Sequence, residues 1–577
     1  MFQHNNAQEL DYNKSFPFDV IRYRDVDYYT DQQIRHLVDT VWMSLPFLNH
    51  SKKSSKKKYR EMVKNYVLNL IKSYQSGYCI RISRRTNDYH YDKRYSQIYT
   101  TSAVVIKTMD SLDDSGWIDL YKGFLDRQRN RGKQTRIFPS QKFISLVENT
   151  LSTGGVSGNK KIRFIREDAK EVIQLRQKID DNKFRLVPYK DTPKTLMMRH
   201  RLQQYNSFMR SIQALTILPL TRKELTEMTP NHAETFNNMM LNGSLVFAER
   251  RMNKGSKVKK SVPPFGREES ISGGNSPTTD HSIHHQEYFC YETNTYKQYN
   301  TNNTKPITKD NNNTREKETR KNDIPITDKV AQINKQYQQH TADNSLSYDS
   351  NESIYYSIDQ VLEDYPNSRK FWFRIVHTDM FRAFSDTSKG FNHHGRFYGD
   401  PVQNLPSWMR TKITMGHKVV VECDYTSIHP TMLYVMAGAV PPENIYMIDK
   451  GTDPLLRKEY KTVLLVSINH KNPDTMWNAV SAHFREEFGY KAGDERLSKK
   501  YIMGIYDRLL AHNQNIKKYM NTGVAMRLMR KDSEIVDKIM IEFISNEIPI
   551  RCIHDSFIVP AEYEADLKVL MVECVFH

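Results

Sequence analysis

Two aspartates, far apart in the chain, each end an apolar, β-branched run: Asp424 in VVVECDYTSIHPTMLY and Asp555 in IPIRCIHDSFIVP. A strand of that composition that stops at an acid carries a carboxylate from a core to a working edge. Two carboxylates delivered in this way can hold two divalent cations, and such a pair stabilises the attacking and leaving oxygens of an in-line phosphoryl displacement. Between the aspartates, DPLLRKEYKTVLLVSINH sets Arg457 and Lys461 one helical turn apart on a common face. Paired cations of this kind suit the grip on a triphosphate and the neutralisation of its pyrophosphate leaving group. The chemistry that these residue types would suit is metal-assisted phosphoryl transfer. It requires two strands to present the aspartates and a helix to present the cations.

Composition agrees with a charged substrate. Hydrophobic residues are 38% of the 577, enough for real cores, and a chain of this length holds about two to four domains. The mean hydropathy of −0.71 places much of the chain in loops and solvated helices. A formal charge of +18 points to a polyanionic partner, most simply nucleic acid. The 34 Tyr and 25 Phe are mostly core candidates, but aromatics mixed with Lys and Arg also suit base stacking beside phosphate contacts. Cys79, Cys290, Cys423, Cys552 and Cys574 form no CxxC pair, so neither a zinc ribbon nor a disulfide framework is expected. Cys423 and Cys552 lie inside the two apolar runs, where thiols behave as small hydrophobes. No apolar stretch reaches the roughly 18 residues of a membrane span. The N-terminus, MFQHNNAQELDYN, lacks signal-peptide form. A cytoplasmic, reduced protein with no membrane partner is the expectation.

Along the chain, 1–240 is dense in helical periodicity, as in DQQIRHLVDTVWMSL, REMVKNYVLNLIKSY and RHRLQQYNSFMRSIQAL, and reads as a basic, mostly helical region. The basic run SKKSSKKKYR at 51–60 reads as a phosphate-contacting loop or a solvated linker. Segment 115–148 has the rhythm of a short strand, a basic hairpin and a helix. A winged-helix wing has this form, with Arg127, Arg129, Arg131, Lys133 and Arg136 toward phosphate; a hairpin with an idle basic tip has it too. Residues 250–350 are rich in Asn, Thr, Lys and Ser with few apolar anchors, and read as a disordered insertion or linker. Residues 355–577 read as compact and hold all the chemistry.

Taken in order, four segments of 390–577 resemble the polymerase module of the family A DNA polymerases (bacterial DNA polymerase I type) and the related single-subunit, phage-type RNA polymerases. GRFYGDPVQNLPSWMR resembles the stretch before the first catalytic strand. The resemblance assigns Arg396, Gln403, Asn404 and Arg410 to nucleic acid, with Leu405 and Pro406 completing the run. ECDYTSIHPTMLY resembles the first metal motif: Asp424 and Tyr425 match, and Thr426 stands for its serine. His429 stands where the DNA enzymes have the glutamate that excludes a ribose 2′-hydroxyl. The Arg457/Lys461 segment resembles the fingers helix, but has Asn469 where the family usually has a tyrosine. His554 and Asp555 match the second metal motif, and Ser556 sides with the RNA enzymes. Upstream, LMRKDSEIVDKIMIEFI resembles the helix that feeds this motif, with Asp532 where the family often has an acid.

The resemblance implies an α+β chain: a right-hand polymerase palm with an antiparallel sheet and helical fingers over 355–577, preceded by the 1–240 region, which would include part of the thumb. It implies a DNA polymerase in which Asp424 and Asp555 bind two Mg²⁺ ions, with Mn²⁺ able to substitute. Lys461 and Arg457 would hold a nucleoside triphosphate beside Tyr425, His429 and Asn469. A DNA template and primer would run along Arg396, Gln403, Asn404, Arg410 and His554. Two alternatives stand beside it. One is an RNA polymerase or primase on the same core, favoured by Ser556 and by the lost glutamate. The other is a non-catalytic, DNA-binding replication initiator, disfavoured by the intact Asp424, Asp555, Arg457 and Lys461. No carboxylate set for a proofreading exonuclease stands out in 1–240.

Overall fold

The computed structural model describes residues 14–23, 28–45, 48, 52–126, 131–152, 162–180, 183–212, 215–248, 288–290, 295–297, 354–385, 390–416, 418–446 and 453–576. The fold mixes helices with mainly antiparallel sheets. It divides into two compact units. The first comprises Met1–Ala248, Val330–Asp424 and Gly523–Leu567; the second comprises Glu249–Lys329, Tyr425–Thr522 and Lys568–His577. Within the expected insertion at 250–350, one antiparallel hairpin is described, Tyr288–Cys290 with Thr295–Lys297. The rest of that expectation lies outside the described residues. Among the described residues, no helix is long and apolar enough to cross a membrane.

In the first unit, all three periodic N-terminal segments are helices: Tyr28–Met43, Lys53–Ser76 and Pro193–Ser211. The third starts on a capping box, in which the Thr192 hydroxyl accepts from the Thr195 amide and Pro193 fills the first turn. The basic run at 51–60 is not a loop: it supplies the opening turns of the 24-residue helix Lys53–Ser76. Lys and Arg are good helix formers. The buried stripe Met62, Val63, Tyr66, Val67, Leu70 and Ile71 anchors the helix that the basic residues extend. The region 1–240 also contains more sheet than its periodicity suggests. Ser15–Pro17, Cys79–Ile82, Thr135–Pro139 and Ile118–Tyr121 form a four-stranded sheet in that order. These strands have three to five residues each, too few to show a period of two. Around 115–148 the order is strand Ile118–Tyr121, hairpin Phe124–Asp126 with Arg131–Lys133, strand Thr135–Pro139 and helix Gln141–Ser152. Lys133 is exposed and Arg136 half-buried, while Arg127 and Arg129 lie outside the described residues.

The main element of this unit is a seven-stranded sheet. Its order is Leu245–Ala248, Lys370–Ile375, Leu215–Thr221, Ile413–Met415, Lys418–Asp424, Ser556–Pro560 and Arg551–Ile553, and every pairing is antiparallel. The sheet corrects the expected division of the chain. Leu215–Thr221 and Leu245–Ala248 come from before the 250–350 segment, yet they pair with strands that follow it. Contacts of such sequence separation leave no local signal. A second sheet, Lys183–Leu186, Ile173–Asp180, Phe381–Ser385 and His394–Tyr398, packs with the long helix Ala525–Ser545, the expected amphipathic helix upstream of Asp555.

Buried polar contacts fix the hairpin Arg551–Pro560 to this frame. Tyr205 donates to the Ile550 carbonyl at 2.8 Å. Asn206 exchanges two 2.9 Å hydrogen bonds with the Met380 backbone. Arg551 pairs with Asp400 at 2.5 Å, and their side chains are only 3% and 1% exposed.

Apart from the hairpin Tyr288–Cys290 with Thr295–Lys297, the described elements of the second unit are helices. Ile428–Ala437, Pro454–Asn469, Pro473–Phe488 and Lys499–His512 enclose a core that includes Tyr460, Val463, Leu464, Met476, Val480, Phe484, Ile505 and Leu509. A buried carboxylate, Glu459, accepts from Tyr490 at 2.6 Å and from Tyr501 at 2.7 Å, tying three of its segments together.

Removing one member of a buried ion pair strands the other charge in the interior. Asp400→Asn is therefore expected to destabilise the first unit by about 3–5 kcal/mol. Lys418→Ala, which breaks a half-exposed pair with Glu562, should cost no more than about 1 kcal/mol. Chemical denaturation of the two variants against the parent measures both, and equal effects would refute the assignment of Asp400 as a buried anchor.

Candidate active site

The strand Lys418–Asp424 and the hairpin Arg551–Ile553/Ser556–Pro560 carry the two aspartates. In the antiparallel ladder Asp424 faces Ser556, Cys423 faces Phe557 and Glu422 faces Ile558. The hairpin pairs Ile553 with Ser556, so its turn consists of His554 and Asp555 alone. Asp555 is thus one residue beyond the partner of Asp424, and both carboxylates stand at the same end of the sheet. Asp424 is exposed and Asp555 half-buried. Behind them Cys423, Cys552, Phe557, Ile558 and Val559 are buried, and burial pushes the Cys552 thiol well above its ordinary range. Both cysteines are core residues, as their setting in the sequence suggests.

His554 adopts φ of +59°, the left-handed region that L-residues enter at a cost of about 1–2 kcal/mol. Strain of that size persists where surrounding structure over-determines it, which is common at working sites. The ring packs edge-on to Tyr398, with centroids 5.8 Å apart. Burial, and then the nearby positive Arg396, lower the imidazole pKa below its usual value, with Asp555 opposing them. His554 is therefore neutral at neutral pH.

Four further residues belong to the first resembling segment. Gln403 donates to the carbonyls of Phe397 and Cys552, each at 3.1 Å, and so clamps the hairpin. Arg396 pairs at 2.7 Å with Asp532, which is 1% exposed on the helix Ala525–Ser545. Arg410 grips Glu422 with two 2.9 Å hydrogen bonds and also donates to the Leu405 carbonyl. Asn404 is exposed at the end of the short turn Pro401–Asn404, which Asp400 caps. Of the residues assigned to nucleic acid, Gln403 and Arg410 thus contact the aspartates' own strands, while Arg396 is tied to the helix Ala525–Ser545. Glu422 was not anticipated. It accepts from the Ser556 hydroxyl at 2.9 Å, linking the two aspartate strands through side chains. Alternation along KVVVECD could have revealed it, since residues 422 and 424 share a face opposite Cys423.

In the second unit, Pro454–Asn469 begins at Asp453, whose side chain accepts from the Leu455 amide at 3.0 Å. Arg457 is half-buried, 5.5 Å from the Tyr446 ring, and Lys461 is exposed one turn further on. The buried Glu459 and its two tyrosines fix the rotation of this helix. Asn469 is exposed and its amide donates to the Leu465 carbonyl at 2.8 Å, closing the last turn. Tyr425 is 4% exposed, with its hydroxyl donating to the Met571 carbonyl at 2.7 Å, so it is an anchor within this unit. His429 lies half-exposed in the first turn of Ile428–Ala437.

Among the described residues, no group of three or more His, Cys, Asp or Glu side chains could cage a metal ion. Two carboxylates at one sheet end nonetheless fit Mg²⁺. The ion takes oxygen ligands, keeps several waters and is commonly held by one or two carboxylates together with substrate phosphates. No protein-family model matches the chain, and no curated protein matches it significantly.

The unfolded value for histidine is about 6.5. Because the folded value of His554 is lower, its contribution to stability is complete above the unfolded value and is lost as pH falls through the folded one. NMR titration should find His554 protonating below the unperturbed histidine value, and Arg396→Gln should move it upward. A His554 that titrates at the unperturbed value in the parent would contradict this description of the turn.

Proposed function

We propose that the protein is a nucleotidyltransferase that extends a nucleic-acid 3′ end, and that its substrates are deoxynucleoside triphosphates on a primed DNA template. The observation that carries this reading is the placement of Asp424 and Asp555 at one end of neighbouring strands, with Asp424 opposite Ser556. In this reading the first unit's seven-stranded sheet is a polymerase palm and the second unit's helices are fingers. Two Mg²⁺ ions held by these carboxylates would stabilise the attacking 3′-oxygen and the leaving phosphate oxygens. The 3′-oxygen bonds to the α-phosphorus, the α–β bridge breaks, the hydroxyl proton leaves to solvent, and pyrophosphate departs. Lys461 and Arg457 take the β- and γ-phosphates and neutralise charge as it builds on the leaving group. His429 stands beside the sugar of the incoming nucleotide. Gln403 and Arg410 position the aspartate strands and Arg396 braces the helix Ala525–Ser545, while Asn404 and His554 face the nucleic acid.

A ribonucleotide enzyme on the same core is the second reading. Ser556 favours it, because the serine donates to Glu422 beside Asp424 where the DNA enzymes of the resembled family carry a glutamate.

Primer extension with labelled deoxy- and ribonucleotides tests both. Asp424→Ala and Asp555→Ala should each abolish incorporation while leaving DNA binding nearly intact, because each removes several kcal/mol of transition-state stabilisation. Activity within about tenfold of the parent in either variant, a loss of only about 1.4 kcal/mol, would sink the assignment.

Lys461→Ala should raise KM for the triphosphate and lower kcat together, since its charge acts before and during transfer. Unchanged values would make it an ordinary solvated lysine. His429→Gly should increase ribonucleotide use if the imidazole excludes the 2′-hydroxyl by bulk, and decrease it if the ring reads that hydroxyl.

A further inference from the structure

The first unit has a groove of about 670 Å³ lined by residues of both Tyr28–Met43 and Lys53–Ser76. None of the residues discussed above as catalytic contributes to it. Six cations line the groove: Arg35, Lys53, Lys56, Lys57, Arg60 and Lys64; the only carboxylates in its lining are Asp39 and Glu61. The half-buried Tyr23 and the core residues Ile34, Val38 and Trp42, each no more than 6% exposed, form the rest.

The cations of the longer helix recur every three or four positions, so they share one face. From Lys53 to Lys64 the row runs about 16 Å at 1.5 Å per residue. Arg35 is held by Asp31 and Arg60 by Asp39, which positions both at the groove. Lys53, Lys56 and Lys57 are exposed and have no ion-pair partner among the described residues. They sit in the opening turns of a helix whose first turn contains no acid and whose Lys52 cap makes no side-chain hydrogen bond. Cations at that end oppose the helix dipole, so helix stability does not account for them. A bound anion would meet both the lysines and the dipole.

We propose that this groove binds single-stranded nucleic acid, with backbone phosphates along the lysine row and an unstacked base beside the Tyr23 ring. The row is too long for a single phosphate and suits several phosphates of one strand. The volume falls within the roughly 300–1,000 Å³ of small-ligand sites, room for a splayed base that a closed duplex does not offer. A cationic track beside an apolar or aromatic surface is the usual way such strands are held without sequence preference. Binding here is independent of nucleotidyl transfer and persists when Asp424 and Asp555 are replaced.

The test uses the full chain and a short oligothymidylate. Amine acylation read by mass spectrometry should show Lys53, Lys56 and Lys57 protected by the oligonucleotide, in the parent and in Asp424→Ala alike. In the triple variant Lys53→Ala, Lys56→Ala, Lys57→Ala, affinity should fall by about tenfold or more at low salt. The slope of log K against log salt should lose about 0.7 per removed contact, or about 2 in all. The triple Lys→Arg variant should retain the parent's affinity and slope. Unprotected lysines, an unchanged slope in the alanine variant, or equal loss in the arginine variant would overturn the proposal. So would protection by blunt duplex DNA or by phosphatidylserine vesicles where oligothymidylate gives none.

Discussion

The antiparallel register between Lys418–Asp424 and Ser556–Pro560 determines where the two aspartates stand. Side chains alternate along a strand, so a slip of one residue would turn Asp424 and Glu422 to the face now occupied by Cys423. The strand Ser556–Pro560 is buried at all five positions, with Phe557, Ile558 and Val559 fully enclosed. Each such side chain contributes about 1.5–3 kcal/mol when buried, against a total domain stability of about 5–15 kcal/mol. A slip would set two carboxylates on the buried face, at a cost of several kcal/mol for each unpaired charge, so the apolar core fixes the position of charged residues that it does not touch.

Buried charge refines that position. Arg551 with Asp400, Arg396 with Asp532, and Arg382 with the Gly395 carbonyl and Ser533 hold the hairpin, the strand His394–Tyr398 and the helix Ala525–Ser545 to one another. Arg382 is 1% exposed, and burial pulls its guanidinium down to about 10, still charged at neutral pH. Gly395, at φ of +98°, leaves no space for a side chain, because a Cβ there would lie 2.7 Å from the Phe384 ring and 2.9 Å from the Ser533 hydroxyl. Such polar clusters are weak sources of net stability, but they penalise any arrangement that leaves a charge unpaired. Arg396, Gln403 and Arg410 lie in a motif that reads as a nucleic-acid contact. Two of them, Gln403 and Arg410, also hold the aspartate strands directly.

The parts of this architecture legible in sequence are those with a local signal. The apolar runs ending at Asp424 and Asp555 are strands, and the helices around Arg457, around Asp532 and in three N-terminal segments follow from periodicity. Pairing between distant strands leaves no such trace: nothing in 215–221 or 245–248 announces that they complete the sheet of 413–424. Glu422 was hidden because an acid in a half-exposed strand is ordinary until its partners, Arg410 and Ser556, are known. Charge density in 51–60 suggests a loop, whereas the stripe that begins at Met62 extends the helix back through the lysines. Tyr425 shows the converse limit: its motif position suggests a nucleotide contact, and burial with a hydrogen bond to Met571 makes it an anchor.

Mn²⁺ binding followed by electron paramagnetic resonance bears most directly on the central claim that Asp424 and Asp555 form a paired-metal phosphoryl-transfer site. The full chain with a primed template and a non-hydrolysable nucleoside triphosphate should bind two Mn²⁺ ions close enough for their spins to couple. The coupled signal should vanish in both Asp424→Ala and Asp555→Ala. Absence of specific Mn²⁺ binding in the parent, or a coupled pair that survives in either variant, would contradict the account.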